Sequence, residues 1–212
     1  GIYKWSRTGA STTDYFSHGL GATPTIAIQK RTDGAQDWYV NYTFVDGSMD
    51  YMNLNKVDDY QNGSTTVPTS TNYYPKSPET GDYITYLFTP IQGYSKFGTY
   101  NANNNADGPF IYTGFVPAFV MIKMWSGDES WFMYDNKRSP FNVRGKYLVA
   151  DGTGTDSNAD AFDFLSNGFK VRTTASAFNG SGSKFIYMAF AEAPLVGSNN
   201  VPANAKWWTL LK

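Results

Sequence analysis

The 212-residue chain contains no cysteine and a single histidine, His18. Without cysteine, neither disulfides nor thiolate metal sites can contribute, so stability must come from apolar burial. Nucleophilic triads and imidazole acid-base pairs need histidine, but His18 precedes a turn in which we expect backbone groups to satisfy its ring. The second half of the chain has Ile111 at the matching position. We therefore expect no catalytic histidine and no enzymatic activity.

Charge of either sign is also scarce, with 17 Lys and Arg against 18 Asp and Glu. A nucleic-acid binder needs a dense field of basic side chains to displace counterions from phosphates, so we expect no nucleic-acid partner. The longest apolar runs, such as residues 115–122, are far shorter than the ~18 residues of a membrane helix, so we expect no membrane insertion. Because the chain begins at Gly1, we expect it to be a piece of a longer protein.

What the chain does contain is an internal repeat. Landmark residues of the first half recur 93 positions later, where Gly21, Pro24, Lys30 and Trp38 are matched by Gly114, Pro117, Lys123 and Trp131. Residues 1–5 match residues 93–97 at an offset of 92, and residues 81–88 match residues 183–190 at an offset of 102. This tandem duplication predicts two domains, at residues 1–92 and 93–195, followed by an extension at residues 196–212. We expect the shared Trp38 and Trp131 to be core anchors.

The composition predicts short strands joined by many turns. Aromatic residues make up 17% of the chain, and Gly, Asn, Ser and Thr crowd between the apolar stretches. The predicted strands are residues 3–5, 25–30, 38–44, 51–55, 83–88, 94–98, 118–125, 131–135, 147–150, 168–173 and 185–192. We therefore predict an all-β protein with two tandem β-sandwich domains.

Three segments depart from simple alternating strands. Residues 118–125 and 185–192 carry apolar side chains on both faces, so we expect these strands to be covered on both sides. Residues 158–165 suggest one helical turn, with Asn158 as a candidate cap and a stop at Asn167 and Gly168.

The densest run of oxygen-bearing side chains lies in the longer part of the second copy. Asp156, Asn158 and Asp160 alternate as at the start of a calcium loop, and Asp151 lies close before them. Ala161 stands where the sharp turn of an EF-hand requires glycine, which excludes an EF-hand. An irregular calcium site formed by the four oxygen-bearing residues stays open, and we expect no other cofactor.

Aromatic residues in loops are the remaining candidates for ligand binding. Trp125 begins a turn that contains Asp128 and Glu129, where the first copy has Thr32. An aromatic ring can stack on a sugar while neighbouring carboxylates accept hydrogen bonds from its hydroxyl groups. The same interpretation extends to three further residues, Tyr60, Tyr73 and Tyr74. Packing against an adjoining domain is the alternative role for these side chains.

The extension has no counterpart in the first copy. Its polar residues 196–205 lead to an apolar end that contains Trp207 and Trp208. Two adjacent tryptophans would be a poor free surface for a monomer. We therefore expect them to dock on a neighbouring domain or subunit, which predicts a homo-oligomer.

The second copy carries the most distinctive runs of the chain, namely residues 107–123, 134–138, 164–172 and 185–194. Together with the linker 93–100 and the exit 198–205, these runs resemble a repeated domain of uncharacterised function found in bacteriophage tail and tail-fibre proteins. The resemblance implies a jelly-roll, lectin-like β-sandwich on the virion surface and assembly into a homotrimer. Other virion proteins are the further partners that we expect. It supplies no catalytic residues.

Three functions follow as hypotheses. We expect a structural and adhesive virion module, part of a tail fibre or similar surface appendage, that binds host-surface glycans. A polysaccharide depolymerase is the first alternative, and it would need two carboxylates facing each other at about 5–10 Å. A purely structural coat or filament subunit without any ligand is the second.

Overall fold

The computed structural model describes residues 1–8, 15–64, 66–76 and 79–193, with Ser64 described by its backbone alone. Strands make up about 47% of the described residues and helix about 2%, which confirms the prediction of an all-β protein. The chain divides into two compact units. Of the described residues, the first unit contains those within Gly1–Thr89, Trp125–Trp131 and Ala150–Gly152, and the second contains those within Pro90–Met124, Phe132–Val149 and 153–193.

The described part of the first unit contains eight strands: β1 (Ile2–Arg7), β2 (Phe16–Ser17), β3 (Ile26–Arg31), β4 (Tyr39–Tyr42), β5 (Met49–Asn53), β6 (Gln61–Ser64), β7 (Asn72–Tyr73) and β8 (Gly81–Phe88). Six of them form an antiparallel sheet in the order β1-β8-β3-β4-β5-β6, while β2 pairs with β7. Met49 and Leu87 of the larger sheet pack with Tyr73 and Phe16 of the smaller one. The small sheet therefore covers one face of the large sheet.

The described part of the second unit contains eight strands and one short helix: β9 (Ser95–Asn101), β10 (Phe110–Tyr112), β11 (Pro117–Met124), β12 (Phe132–Asp135), β13 (Arg144–Val149), β14 (Ser157–Leu165), β15 (Gly168–Val171), α1 (Ser176–Asn179) and β16 (Lys184–Ala191). The strands form one sheet in the order β10-β15-β14-β13-β12-β11-β16-β9. This sheet is nearly closed into a barrel. Lys96 Nζ, on the edge strand β9, donates to the backbone oxygen of Tyr112, on the other edge strand, at 2.8 Å.

The two sheets share one strand order. The first runs β1-β8-β3-β4-β5-β6, and the second, taken from its β9 edge, begins β9-β16-β11-β12-β13-β14. The registers agree as well, because Ile26 faces Phe88 in the first unit and Phe119 faces Phe190 in the second. Ile26 and Phe119 lie 93 positions apart in the chain, and Phe88 and Phe190 lie 102 positions apart. These are the offsets that the sequence repeat predicts.

The register corrects the offset of the opening strand. Trp5 pairs with Tyr83 in the first unit, and Tyr100 pairs with Phe185 in the second. Both pairs are stacked, with ring centroids 4.6 Å and 4.8 Å apart. Trp5 therefore corresponds to Tyr100 at an offset of 95, and the offset of 92 is wrong. Matching glycine and lysine letters suggested 92, whereas the stacked rings define the structural equivalence.

The prediction of a helical turn at residues 158–165 is wrong, because Ser157–Leu165 forms β14. Phe162 and Phe164 are buried while Asp163 between them is half-buried, which is the period of a strand. β13 and β15 pair with β14 on its two sides. These strands directly precede and follow β14 in the chain, and their backbone hydrogen bonds outweigh the local cap signal at Asn158.

The prediction that two strands are covered on both faces is confirmed. β11 lies between β12 and β16, and β16 lies between β11 and β9. Consecutive side chains of β16 are buried, as Phe185, Ile186 and Tyr187 show. In β11, the consecutive residues Met121 and Ile122 are buried as well. Successive side chains of a strand point to opposite faces, so both faces of each strand are covered.

Gly168 permits the close pairing of β10 with β15. A Cβ atom at this position would lie 2.1 Å from the backbone oxygen of Ile111. We expect Gly168→Ala to lower the free energy of unfolding by about 1–3 kcal/mol, measured by urea denaturation. Gly154→Ala is the matched control, because no atom lies within 4 Å of its Cβ position. Equal effects of the two substitutions would contradict this interpretation.

Candidate functional site

A loop of the first unit brings two of the predicted ligand-binding residues into ring contact. This loop, Trp125–Trp131, which we call the Trp125 loop, belongs to the first unit, although it lies in the second copy of the repeat. The ring centroids of Tyr60 and Trp125 are 5.3 Å apart, and the ring planes meet at 89°. The Tyr60 N–H donates to the backbone oxygen of Trp125 at 3.4 Å. Both side chains are half-buried, so this edge-to-face pair keeps part of its aromatic surface accessible.

Further hydrogen bonds hold this loop against residues 57–60. The Glu129 N–H donates to the backbone oxygen of Val57 at 3.0 Å. The Asp59 N–H donates to Oδ1 of Asp128 at 3.1 Å. Asp128 is exposed and Glu129 is half-buried. Four of the six predicted ligand-binding residues therefore lie together, and we call this set, Tyr60, Trp125, Asp128 and Glu129, the Trp125 site.

The chemistry of the Trp125 site suits a polyhydroxylated ligand. Aromatic rings offer flat apolar surface, and carboxylate oxygens accept hydrogen bonds from hydroxyl groups. One oxygen of Asp128 already accepts a backbone N–H, which orients this carboxylate. A carboxylate held in one orientation loses less side-chain entropy when it binds a ligand.

The two remaining tyrosines are separate from this set. Tyr73 is 1% exposed, and its ring packs against Phe16 at a centroid distance of 5.5 Å. Burial therefore removes Tyr73 from the ligand-binding candidates and corrects its assignment as a loop residue. Burial also raises the pKa of its hydroxyl. Tyr74 is half-buried and lies 5.7 Å from the ring of Tyr15.

Asp151 has a structural role at the base of the Trp125 loop. Its Oδ1 accepts the Trp131 N–H at 2.8 Å, and its Oδ2 accepts the Ser130 hydroxyl at 2.9 Å. Both carboxylate oxygens therefore already serve as hydrogen-bond acceptors that hold the end of the loop. This role accounts for Asp151 without a metal ion.

The other three predicted calcium ligands lie in the second unit. Asp156 forms an ion pair with Lys146 at 3.4 Å. Asn158 and Asp160 both lie close to Gly145. A Cβ atom at position 145 would lie 2.6 Å from Oδ1 of Asn158 and 2.4 Å from Oδ1 of Asp160. In the described part of the chain, no group of three or more His, Cys, Asp or Glu side chains could hold a metal ion. Calcium at these residues stays a prediction.

His18 is held by backbone groups, as the sequence predicts. Its Nε2 lies 3.1 Å from the backbone oxygen of Thr69, and its Nδ1 lies 3.5 Å from the Leu20 N–H. The ring is also buried. Both ring nitrogens therefore have a structural role.

Sequence reasoning missed a second polar set in the first unit, in the turn between β4 and β5. Asp46, Ser48 and Asp50 alternate along this turn, a spacing that the sequence displays. Asp50 and its neighbour Tyr42 are both fully buried, which no local pattern indicates.

Two further features bear on the predicted location and assembly. No helix among the described residues is long and apolar enough to span a membrane. Trp207, Trp208 and the rest of the extension at residues 196–212 lie outside the described residues.

Comparison with known proteins yields one match. A family model described as a domain of unknown function, DUF7483, matches residues 1–194. The model covers most of the chain and spans both units, so the protein belongs to the DUF7483 family. No curated protein and no solved structure matches the chain.

Proposed function

We propose that this DUF7483 protein is a structural and adhesive module of a virion surface, carried on a tail fibre or similar appendage, and that it binds host-surface glycans. The observation that carries the glycan part is the Trp125 site, where an accessible aromatic pair lies beside an exposed carboxylate. The resemblance of the second copy to repeats of bacteriophage tail proteins supports the virion location.

The finer architecture belongs to the same proposal. The two units are tandem lectin-like sandwiches of jelly-roll type that arose by duplication. Their common strand order and matching registers support this origin. Duplicated scaffolds keep their cores and diverge in loops, and the Trp125 loop is such a divergence because the first copy has Thr32 at that position.

Assembly completes the proposed role. The protein forms a homotrimer that contacts other virion proteins, and Trp207 and Trp208 of the extension contribute to the subunit contacts. Adjacent apolar side chains of this size favour burial in an interface. Sedimentation analysis of the full chain is expected to report three subunits.

Glycan binding is tested with the full chain on an array of bacterial surface polysaccharides, followed by titration of the strongest ligand. We expect Trp125→Ala to weaken binding at least tenfold, which corresponds to about 1.4 kcal/mol, because truncation removes the stacking surface. Asp128→Asn is expected to weaken binding as well, since it removes the charged acceptor.

Tyr112→Ala is the matched control. Tyr112 is 58% exposed and lies in the second unit, so its removal should leave glycan affinity unchanged. A blank array and no binding to bacterial cells would remove the adhesive function and leave a structural spacer. Loss of binding in Tyr112→Ala but not in Trp125→Ala would contradict the assignment of the site. Release of shortened saccharides would favour the depolymerase alternative.

A further inference from the structure

The turn between β4 and β5 collects oxygen atoms from three alternating residues. The Ser48 N–H and hydroxyl donate to Oδ1 of Asp46 at 2.8 Å and 2.7 Å. The same hydroxyl lies 3.2 Å from Oδ1 of Asp50. Gly47, with a φ of 91°, supplies the left-handed backbone that closes the turn. Two carboxylates therefore share one hydroxyl proton, which can satisfy only one of them at a time.

Asp50 is the inner member of this set. Its side chain is 0% exposed, and its Oδ2 has no hydrogen-bond partner. Burial, followed by the charge of Asp46, raises the pKa of Asp50 despite hydrogen bonds from Ser48 and the backbone of Gly63. No Lys or Arg of the described residues is among the groups that shift this pKa. A buried carboxylate oxygen without a hydrogen-bond partner or a neighbouring positive charge is unfavourable, and a bound cation would satisfy it.

Tyr42 provides an independent indication at the same place. It is the register partner of Asp50 on the neighbouring strand, so both side chains lie on one face of the sheet. Tyr42 is also fully buried, and its hydroxyl has no hydrogen-bond partner. Burial and the charges of Asp50, Asp46 and Asp59 raise the pKa of Tyr42. A buried polar group without a partner indicates a bound water or ion, and this hydroxyl lies in a field of negative charge.

We propose that Asp46, Ser48 and Asp50 bind a divalent cation of the calcium class, with the Tyr42 hydroxyl beside the ion. Calcium takes six to eight oxygen ligands at about 2.3–2.6 Å, from carboxylates, carbonyls and water. Oxygens that share such an ion lie roughly 3 Å apart, as the three side chains of the turn already do. The absence of nitrogen and sulfur from this set disfavours zinc and copper.

The geometry also supplies an entry path. Asp46 is exposed whereas Asp50 is buried, so an ion can enter from solvent past the outer carboxylate and reach the inner one. The two carboxylates carry a charge of −2, which suits a weak site with a Kd on the order of 0.1–1 mM. The site differs from the predicted calcium loop at residues 151–160, and it does not depend on glycan binding.

The test is calorimetric titration of the EDTA-treated full chain with calcium chloride alone, together with thermal unfolding at rising calcium concentration. The wild type is expected to bind one ion in the turn and to unfold at a higher temperature when calcium is present. Asp46→Asn and Asp50→Asn are each expected to weaken binding at least tenfold. Asp46 is exposed and the change at Asp50 preserves side-chain shape, so both variants should fold, which circular dichroism checks.

Asp160→Asn in the second unit is the matched control and should retain full calcium affinity. The absence of binding in the wild type would overturn the proposal. Binding that survives both Asp46→Asn and Asp50→Asn, or that is lost in Asp160→Asn, would place the ion elsewhere and also overturn it.

Discussion

Replacement of Trp131 by alanine is expected to lower the free energy of unfolding by about 3–5 kcal/mol. Trp131 is 1% exposed and is among the largest fully buried side chains. Its Nε1 donates to the backbone oxygen of Asn53 at 2.9 Å, and its N–H donates to Asp151. The substitution therefore leaves a large cavity and an acceptor on β5 without its donor. Urea denaturation monitored by circular dichroism measures the loss.

Two variants separate the causes of this effect. Trp131→Phe keeps most of the apolar volume but removes the hydrogen bond to Asn53, and should cost less than the alanine variant. Trp38→Ala removes the equivalent tryptophan of the first copy, which is only half-buried. Nζ of Lys30 lies 5.9 Å from the centroid of the Trp38 ring. We expect Trp38→Ala to be clearly milder. If it destabilised the protein as much as Trp131→Ala does, burial would not explain the difference between the two positions.

Substitution of Asn179 by alanine is expected to lower the free energy of unfolding by about 2–4 kcal/mol, chiefly because buried hydrogen bonds are lost. Asn179 is fully buried at the end of α1. Its Nδ2 donates to the backbone oxygens of Asn105 and Thr173 at 2.8 Å and contacts Oδ1 of Asn103 at 3.1 Å. Its Oδ1 accepts the Asn103 N–H at 2.9 Å. One side chain thus ties the loop after β9 to the segment before α1, and thermal unfolding measures its loss.

The nearly isosteric Asn179→Asp variant tests whether hydrogen bonding or volume is responsible. It replaces a donor that faces three oxygens with another acceptor, so we expect it to be at least as destabilising as the alanine variant. Asn105→Ala is the control in the same loop, because Asn105 is exposed and water can replace its side-chain contacts. A harmless Asn179→Asp variant would contradict the hydrogen-bond interpretation.

The candidate site was partly readable from the sequence. Trp125, Asp128 and Glu129 stand out because the two copies differ there, and Tyr60 is an aromatic residue in an irregular stretch. Their juxtaposition was not readable, because residues 57–60 and 125–129 are far apart in the chain and are brought together by hydrogen bonds and a ring contact that form only in the folded structure. Tyr73 shows the opposite case. It looks like a loop aromatic, yet β7 places it in the core.

By itself, the sequence determined the β class, the repeat with its offsets of 93 and 102, and the absence of cysteine chemistry from this chain, because alternation, turn residues and composition can be read without knowing which segments meet. The tertiary structure decided that Ser157–Leu165 is a strand, that the Trp125 loop belongs to the first unit, and that Asp50 and Asn179 are buried. Each of these outcomes depends on partners in other segments of the chain. Burial and strand pairing are properties of those partners as much as of the residue itself.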